Sequence, residues 1–104
     1  MSGGDRRSDA DARYQRLRFG CGLAILADPN SYEIKTSTKI LIKASTNVKP
    51  SGLPESTCFR HLEWLLSEGL ATKLAPGKYR MERELLFALT LAELAARQAE
   101  GIWN

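Results

Sequence analysis

Apolar residues recur along most of this chain at helical rather than strand spacing. From about Asp11, Tyr14, Leu17, Cys21, Ala24 and Ile25 fall on one helical face, and Phe19, Leu23 and Leu26 add a second strip. A helix apolar on two sides must bury both, so the second side is available to a neighbouring subunit. Gly20 and Gly22 each cost about 1 kcal/mol in a helix interior, which points to close packing or a kink. Asp28-Pro29-Asn30 stops the pattern.

Residues 31–35, SYEIK, alternate and suit a brief strand. Residues 36–46, TSTKILIKAST, fit two patterns. Ser37 can cap a short helix with Ile40, Leu41 and Ala44 inward, or Ile40, Ile42 and Ala44 can alternate along a strand. The helix is preferred because the next segment needs a surface to pack on. NVKPSG (47–52) is a loop. Pro54 and Glu55 open a helix over about 54–68. Its inward stripe is Cys58, Leu62, Leu65 and Leu66, with Phe59 at the edge. Glu55, Ser56, Thr57, Arg60, His61 and Trp64 lie largely outside that stripe, and Trp64 is expected to pack on a hairpin or a neighbouring subunit.

Gly69 closes this helix as its C′ residue, and Leu70 supplies the apolar contact that commonly follows. LATKLA and KYRMER flank Pro76-Gly77, the signature of a hairpin over about 70–83. Residues 83–100 form an amphipathic helix. Leu85, Leu86, Leu89, Ala92 and Ala96 are apolar at helical spacing, and Phe87, Leu91, Leu94 and Ala95 widen the apolar surface. The predicted fold is mainly α with a small β-hairpin wing: a winged helix-turn-helix with extra N- and C-terminal helices. It occupies 11–104 as a single domain behind a flexible charged arm at 1–10.

Composition changes this picture little, and charge changes it more. The chain has 104 residues, 43% apolar and 26% charged, an ordinary globular balance. No run is long and apolar enough for a membrane span. MSGGDRRSDADARYQ lacks the apolar stretch of a secretory signal, so a cytoplasmic location is expected. Cys21 and Cys58 show no CxxC spacing and are read as reduced thiols. With a single histidine, neither a metal site nor a cofactor is expected. Net charge is zero over 1–33, +5 over 34–81 and −2 over 82–104. A polyanionic partner is therefore expected at the middle of the chain.

That middle carries the candidate chemistry. A duplex major groove admits one α-helix, which must show short polar and basic side chains outward while an apolar stripe anchors it. Ser56 and Thr57 suit phosphates or base edges, Arg60 suits guanine or a phosphate, and His61 adds a contact. Lys78 and Arg80 on the hairpin, with Lys73 on its basic edge and Lys49 in the preceding loop, suit the DNA backbone. Cys58 and His61 stand three apart. Cys58 points inward and no Asp or Asn partner is evident, so no catalytic pair is read there. No Gly-rich phosphate loop occurs.

Leu53-Pro54, Ser56-Thr57, Arg60, Leu62, Leu65, Glu68-Gly69-Leu70 and Gly77-Lys78-Tyr79-Arg80 together resemble the winged-helix domain of IclR-type bacterial transcription regulators. The resemblance covers 53–81. It implies that Ser56, Thr57 and Arg60 lie on a recognition helix and that Lys78 and Arg80 lie in a wing. Two departures stand out: NVKPSG is longer than the usual tight turn, and the large effector-binding domain is missing. A similar string occurs in plasmid replication initiators and other winged helices.

These residues are read as a sequence-specific DNA-binding transcriptional regulator, a homodimer joined through its terminal helices, with double-stranded DNA as partner and no membrane association. The alternative is a winged-helix adaptor that binds a protein (an anti-repressor or a polymerase-binding factor), or a replication accessory protein. An enzyme ranks third, because no nucleophile, base and orienting group assemble from these residues.

Overall fold

The computed structural model describes residues 4–99, with side chains over 11–94. It contains four helices and a small sheet: α1 (Gly4–Leu26), β1 (Glu33–Lys35), α2 (Thr38–Ser45), α3 (Glu55–Ser67), β2 (Ala71–Ala75), β3 (Lys78–Met81) and α4 (Arg83–Ala99). The three strands form one antiparallel sheet in the order β1-β3-β2. The fold is therefore mainly helical with a hairpin, as the spacing of apolar residues implied. Two features were not legible: the hairpin gains β1 as a third strand, and α1 starts at Gly4, ahead of Asp11. Residues 4–10, read as an arm, carry helical backbone, while 1–3 and 100–104 lie outside the described residues.

Helix α1 is the axis of the molecule and packs against α2, α3, α4, β1 and β3. This explains its two apolar sides. Leu17, Phe19 and Leu23 are all fully buried within the one chain, so no second subunit is needed to cover the Phe19–Leu23 strip. Its glycines are places of close approach. A Cβ on Gly22 would overlap the carbonyl oxygen of Ala44 on α2, and one on Gly20 would lie 2.8 Å from Leu85 Cδ1 and 3.0 Å from Leu65 Cδ2. The absent side chains let α2, α3 and α4 close on one helix.

The stop at Asp28 is built from hydrogen bonds. The Asp28 carboxylate accepts from the backbone N–H groups of Asn30 (2.8 Å) and Ser31 (3.1 Å), which holds it below the usual carboxylate range. Tyr32 then takes a left-handed φ of 56°. Its carbonyl accepts from Met81 N–H at 2.9 Å, which seats β1 beside β3.

Segment 36–46 resolves to helix. Ser37 caps α2 by accepting from Ile40 N–H. Leu41 and Ala44 are buried, Ile40 packs at the core's edge, and Ile42 faces solvent, the phase of a helix and not of a strand. Ser45 is fully buried and joins two elements: its hydroxyl donates to the Ile42 carbonyl and accepts from Leu53 N–H at 2.8 Å. Asn47 fastens the loop to α1, donating to the Arg18 carbonyl at 2.8 Å while Arg18 Nε donates to the Asn47 carbonyl at 3.0 Å.

Helix α3 buries Cys58, Leu62 and Leu65. Its end matches the sequence reading: Gly69 has φ 73°, its N–H donates to the Leu66 carbonyl, and Leu70 N–H donates to the Leu65 carbonyl. Helix α4 departs from its predicted stripe. Leu85 is buried, and Ala88, Leu89 and Ala92 pack at the core's edge, but Leu86 is exposed with Phe87, Leu91 and Leu94. The physical reason is position: among the described residues, α4 packs mainly along α1. Ala96, counted on that stripe, and Ala95, counted beside it, lie outside the residues whose side chains are described.

Candidate nucleic-acid interface

Three features meet at one end of the molecule, and two hydrogen bonds bring them there. The Thr38 hydroxyl at the start of α2 donates to the Glu55 carboxylate at the start of α3. Thr36, just before α2, donates its N–H to the carbonyl of Gly77 in the hairpin turn at 2.8 Å. The N-termini of both helices and the tip of the hairpin are therefore neighbours in space.

On α3, Ser56 and Arg60 stand in solvent and Thr57 is partly covered. Pro54 at the N-cap has no side-chain capping bond, so the backbone N–H groups of Glu55 and Ser56 stay available, while that of Thr57 donates to the Pro54 carbonyl. Phe59, placed by sequence at the edge of the apolar stripe, stands well exposed beside Arg60. Its neighbour Cys58 is buried, its Sγ donates to the Leu41 carbonyl at 3.6 Å, and burial pushes its thiol pKa up. It is a core thiol held in its protonated form.

The second half of the polar side of α3 meets α1. His61 stacks edge-on against Phe19, with ring centroids 5.6 Å apart, and its Nδ1 is buried with no hydrogen-bond partner among the described residues. Burial, then the positive charges of Arg16 and Arg60, hold this imidazole below the usual histidine range. Trp64 lies under the guanidinium groups of Arg13 and Arg16, 5.3 and 5.4 Å from its ring centroid. Arg13 also pairs with Glu68 at 3.2 Å. Trp64 thus packs on α1, not on the hairpin, and His61 stands apart from the row of Ser56 and Arg60.

The hairpin cations are already engaged. Lys78 pairs with Glu33 of β1 at 3.2 Å, and Arg80 pairs with Glu82 at 3.1 Å. Glu82 also accepts from Thr72 at 2.7 Å, and these bonds hold its carboxyl below the usual range. Such solvent-facing pairs are worth at most about 1 kcal/mol, so a phosphate can exchange with the carboxylate. Lys73 faces solvent and makes no ion pair among the described residues.

A second source of positive charge was read only in part in the sequence, which singled out Lys49 but not Lys35, Lys39 or Lys43. Lys35, Lys39, Lys43 and Lys49 all face solvent, and no acid occurs between Glu33 and Glu55. None of the four makes an ion pair among the described residues. Lys39 and Lys43 are one helical turn apart on α2, the four-residue spacing that places them on the same outer face. That spacing was visible in TKILIK, but it mattered only once α2 was known to be a helix. No group of three or more metal-ligating side chains occurs among the described residues, and no described helix is long and apolar enough to cross a membrane. Comparisons with protein-family models, with curated proteins and with solved structures found no match.

Proposed function

We propose that this chain is a winged helix-turn-helix protein that binds double-stranded DNA and regulates transcription by occluding a promoter or recruiting a factor to it. The order of elements supports the reading: helix, strand, two helices joined by a loop, hairpin, helix. In this assignment α3 enters the major groove. Ser56, Thr57 and the first N–H groups of α3 meet phosphate or base edges, and Arg60 meets guanine or a phosphate. Phe59 adds a surface for a thymine methyl group. Lys78 and Arg80 trade their carboxylates for the backbone across the adjacent groove.

The observation that carries the reading is the adjacency described above. The start of α3, which carries the exposed Ser56 and Arg60, the hairpin tip and the start of the lysine-bearing α2 are neighbours through the Thr38–Glu55 and Thr36–Gly77 bonds. The affinity comes mainly from Lys35, Lys39, Lys43 and Lys49, because these cations release nothing but solvent and counterions when a phosphate arrives. Fluorescence anisotropy on a mixed-sequence duplex across a salt series tests it. Log affinity is expected to fall linearly with log salt. Lys39→Ala combined with Lys43→Ala should flatten the slope by roughly 0.9 for each phosphate that the missing ammonium groups neutralise. Arg60→Ala should weaken a selected site by about 1–3 kcal/mol. No binding to any duplex at low salt would exclude the reading and favour a protein-binding adaptor.

A further inference from the structure

We infer that two copies of this chain associate through the outer face of α4 together with Ile25 of α1. Ile25 is 70% exposed, Leu86 43%, Phe87 70%, Leu91 55% and Leu94 39%. The five are not scattered. Phe87, Leu91 and Leu94 follow one another at steps of four and three, the spacing of a helix seam. Ala24, next to Ile25, and Leu86 line one groove with Tyr32, Met81, Glu82 and Arg83, so α1 and α4 each bring an apolar residue to a groove whose rim is charged. No charged residue falls between Leu86 and Ala92.

Size and symmetry choose the occupant. The five side chains leave on the order of 600 Å² of apolar surface in solvent, at the top of the range for a monomer's largest patch. Each partner of a standard interface buries roughly 800 Å², and in homodimers about 65% of that is apolar. The patch therefore matches one side of a modest homodimer with little left over. A two-fold axis between Thr90 and Leu91 of antiparallel α4 helices places Phe87 against Leu94 of the second copy, and Leu94 against its Phe87. The seam is complementary to itself, which an isologous contact requires. It involves neither the Ser56–Arg60 row nor the lysines of α2, so it stands whether or not the chain binds DNA.

Sedimentation equilibrium from micromolar to near-millimolar protein, without nucleic acid, tests the inference. Wild-type protein should shift from one to two chain masses. Phe87→Glu should weaken association at least tenfold while circular dichroism keeps the wild-type helical signal. Ile25→Glu, on the other helix, should do the same and serves as the readout if the first variant folds poorly. Leu74→Glu, an exposed apolar residue on β2, should leave association unchanged. A wild-type monomer at every concentration overturns the inference, even if the protein sediments with lipid vesicles or with a different protein. So does a Phe87→Glu or Ile25→Glu protein that dimerises as well as wild type, or a Leu74→Glu loss of equal size.

Discussion

Helices α3 and α4 carry similar amphipathic patterns and have opposite fates. In α3 the stripe of Cys58, Leu62 and Leu65 disappears into the core. In α4, Leu85 alone is fully buried among the described residues, and four large apolar side chains remain in solvent. Period and composition do not distinguish the two. The number of neighbours does: α3 touches α1, α2 and β2, whereas α4 lies along α1. An apolar stripe states a demand for cover and does not say who supplies it.

The sharpest way to break that contrast is truncation of equivalent leucines. Leu65→Ala should lower stability by about 2–5 kcal/mol. Leu91→Ala, measured in dilute protein where copies are apart, should change it by no more than about 0.5 kcal/mol. Comparable losses in urea denaturation would show that α4 is covered after all. Next in size is the close approach on α1. Gly22→Ala improves helix propensity, yet its Cβ overlaps the Ala44 carbonyl, so a net loss of about 1–3 kcal/mol is expected. A stabilised variant would mean that α1 and α2 are farther apart than described.

Smaller still is Ser45→Ala, expected to cost about 1–2 kcal/mol by leaving Leu53 N–H without its acceptor. Hydrogen exchange should report faster exchange at Leu53 than in wild type. The smallest effect is that of pH on the α1–α3 seam. His61 is held below its ordinary value in the folded chain, so the unfolded chain takes up the proton first. Stability should fall as pH drops below about 6.5, the unfolded-state value for histidine. His61→Phe should flatten that part of the pH profile. An unchanged slope would place the titration elsewhere.

Most elements were legible because their signals are local. Ser37 and Gly69 bring their own capping chemistry, Pro76-Gly77 makes a turn whatever surrounds it, and the stripe of α3 fixes its inward side by period alone. The candidate site was legible in part, for the same reason. Ser56 and Arg60 are exposed because they lie opposite Cys58, Leu62 and Leu65. His61 looked equivalent to them in sequence, and Trp64 lay on the same outer side, but Phe19, Arg13 and Arg16 cover both from a helix roughly forty to fifty residues earlier. Lys78 and Arg80 looked free, but the acids that hold them come from β1 and from the end of β3.

What the chain's order of residues determines by itself, then, is which segments are helix, strand or turn, and the excess of positive charge over 34–81. Both follow from short-range sterics, capping and simple charge counting. Tertiary structure alone decides which cations keep their charge unpaired, which side of α1 needs no partner, and which stripe is left bare. Those outcomes depend on what arrives from distant parts of the chain, and burial and pairing are properties of neighbours brought together by folding.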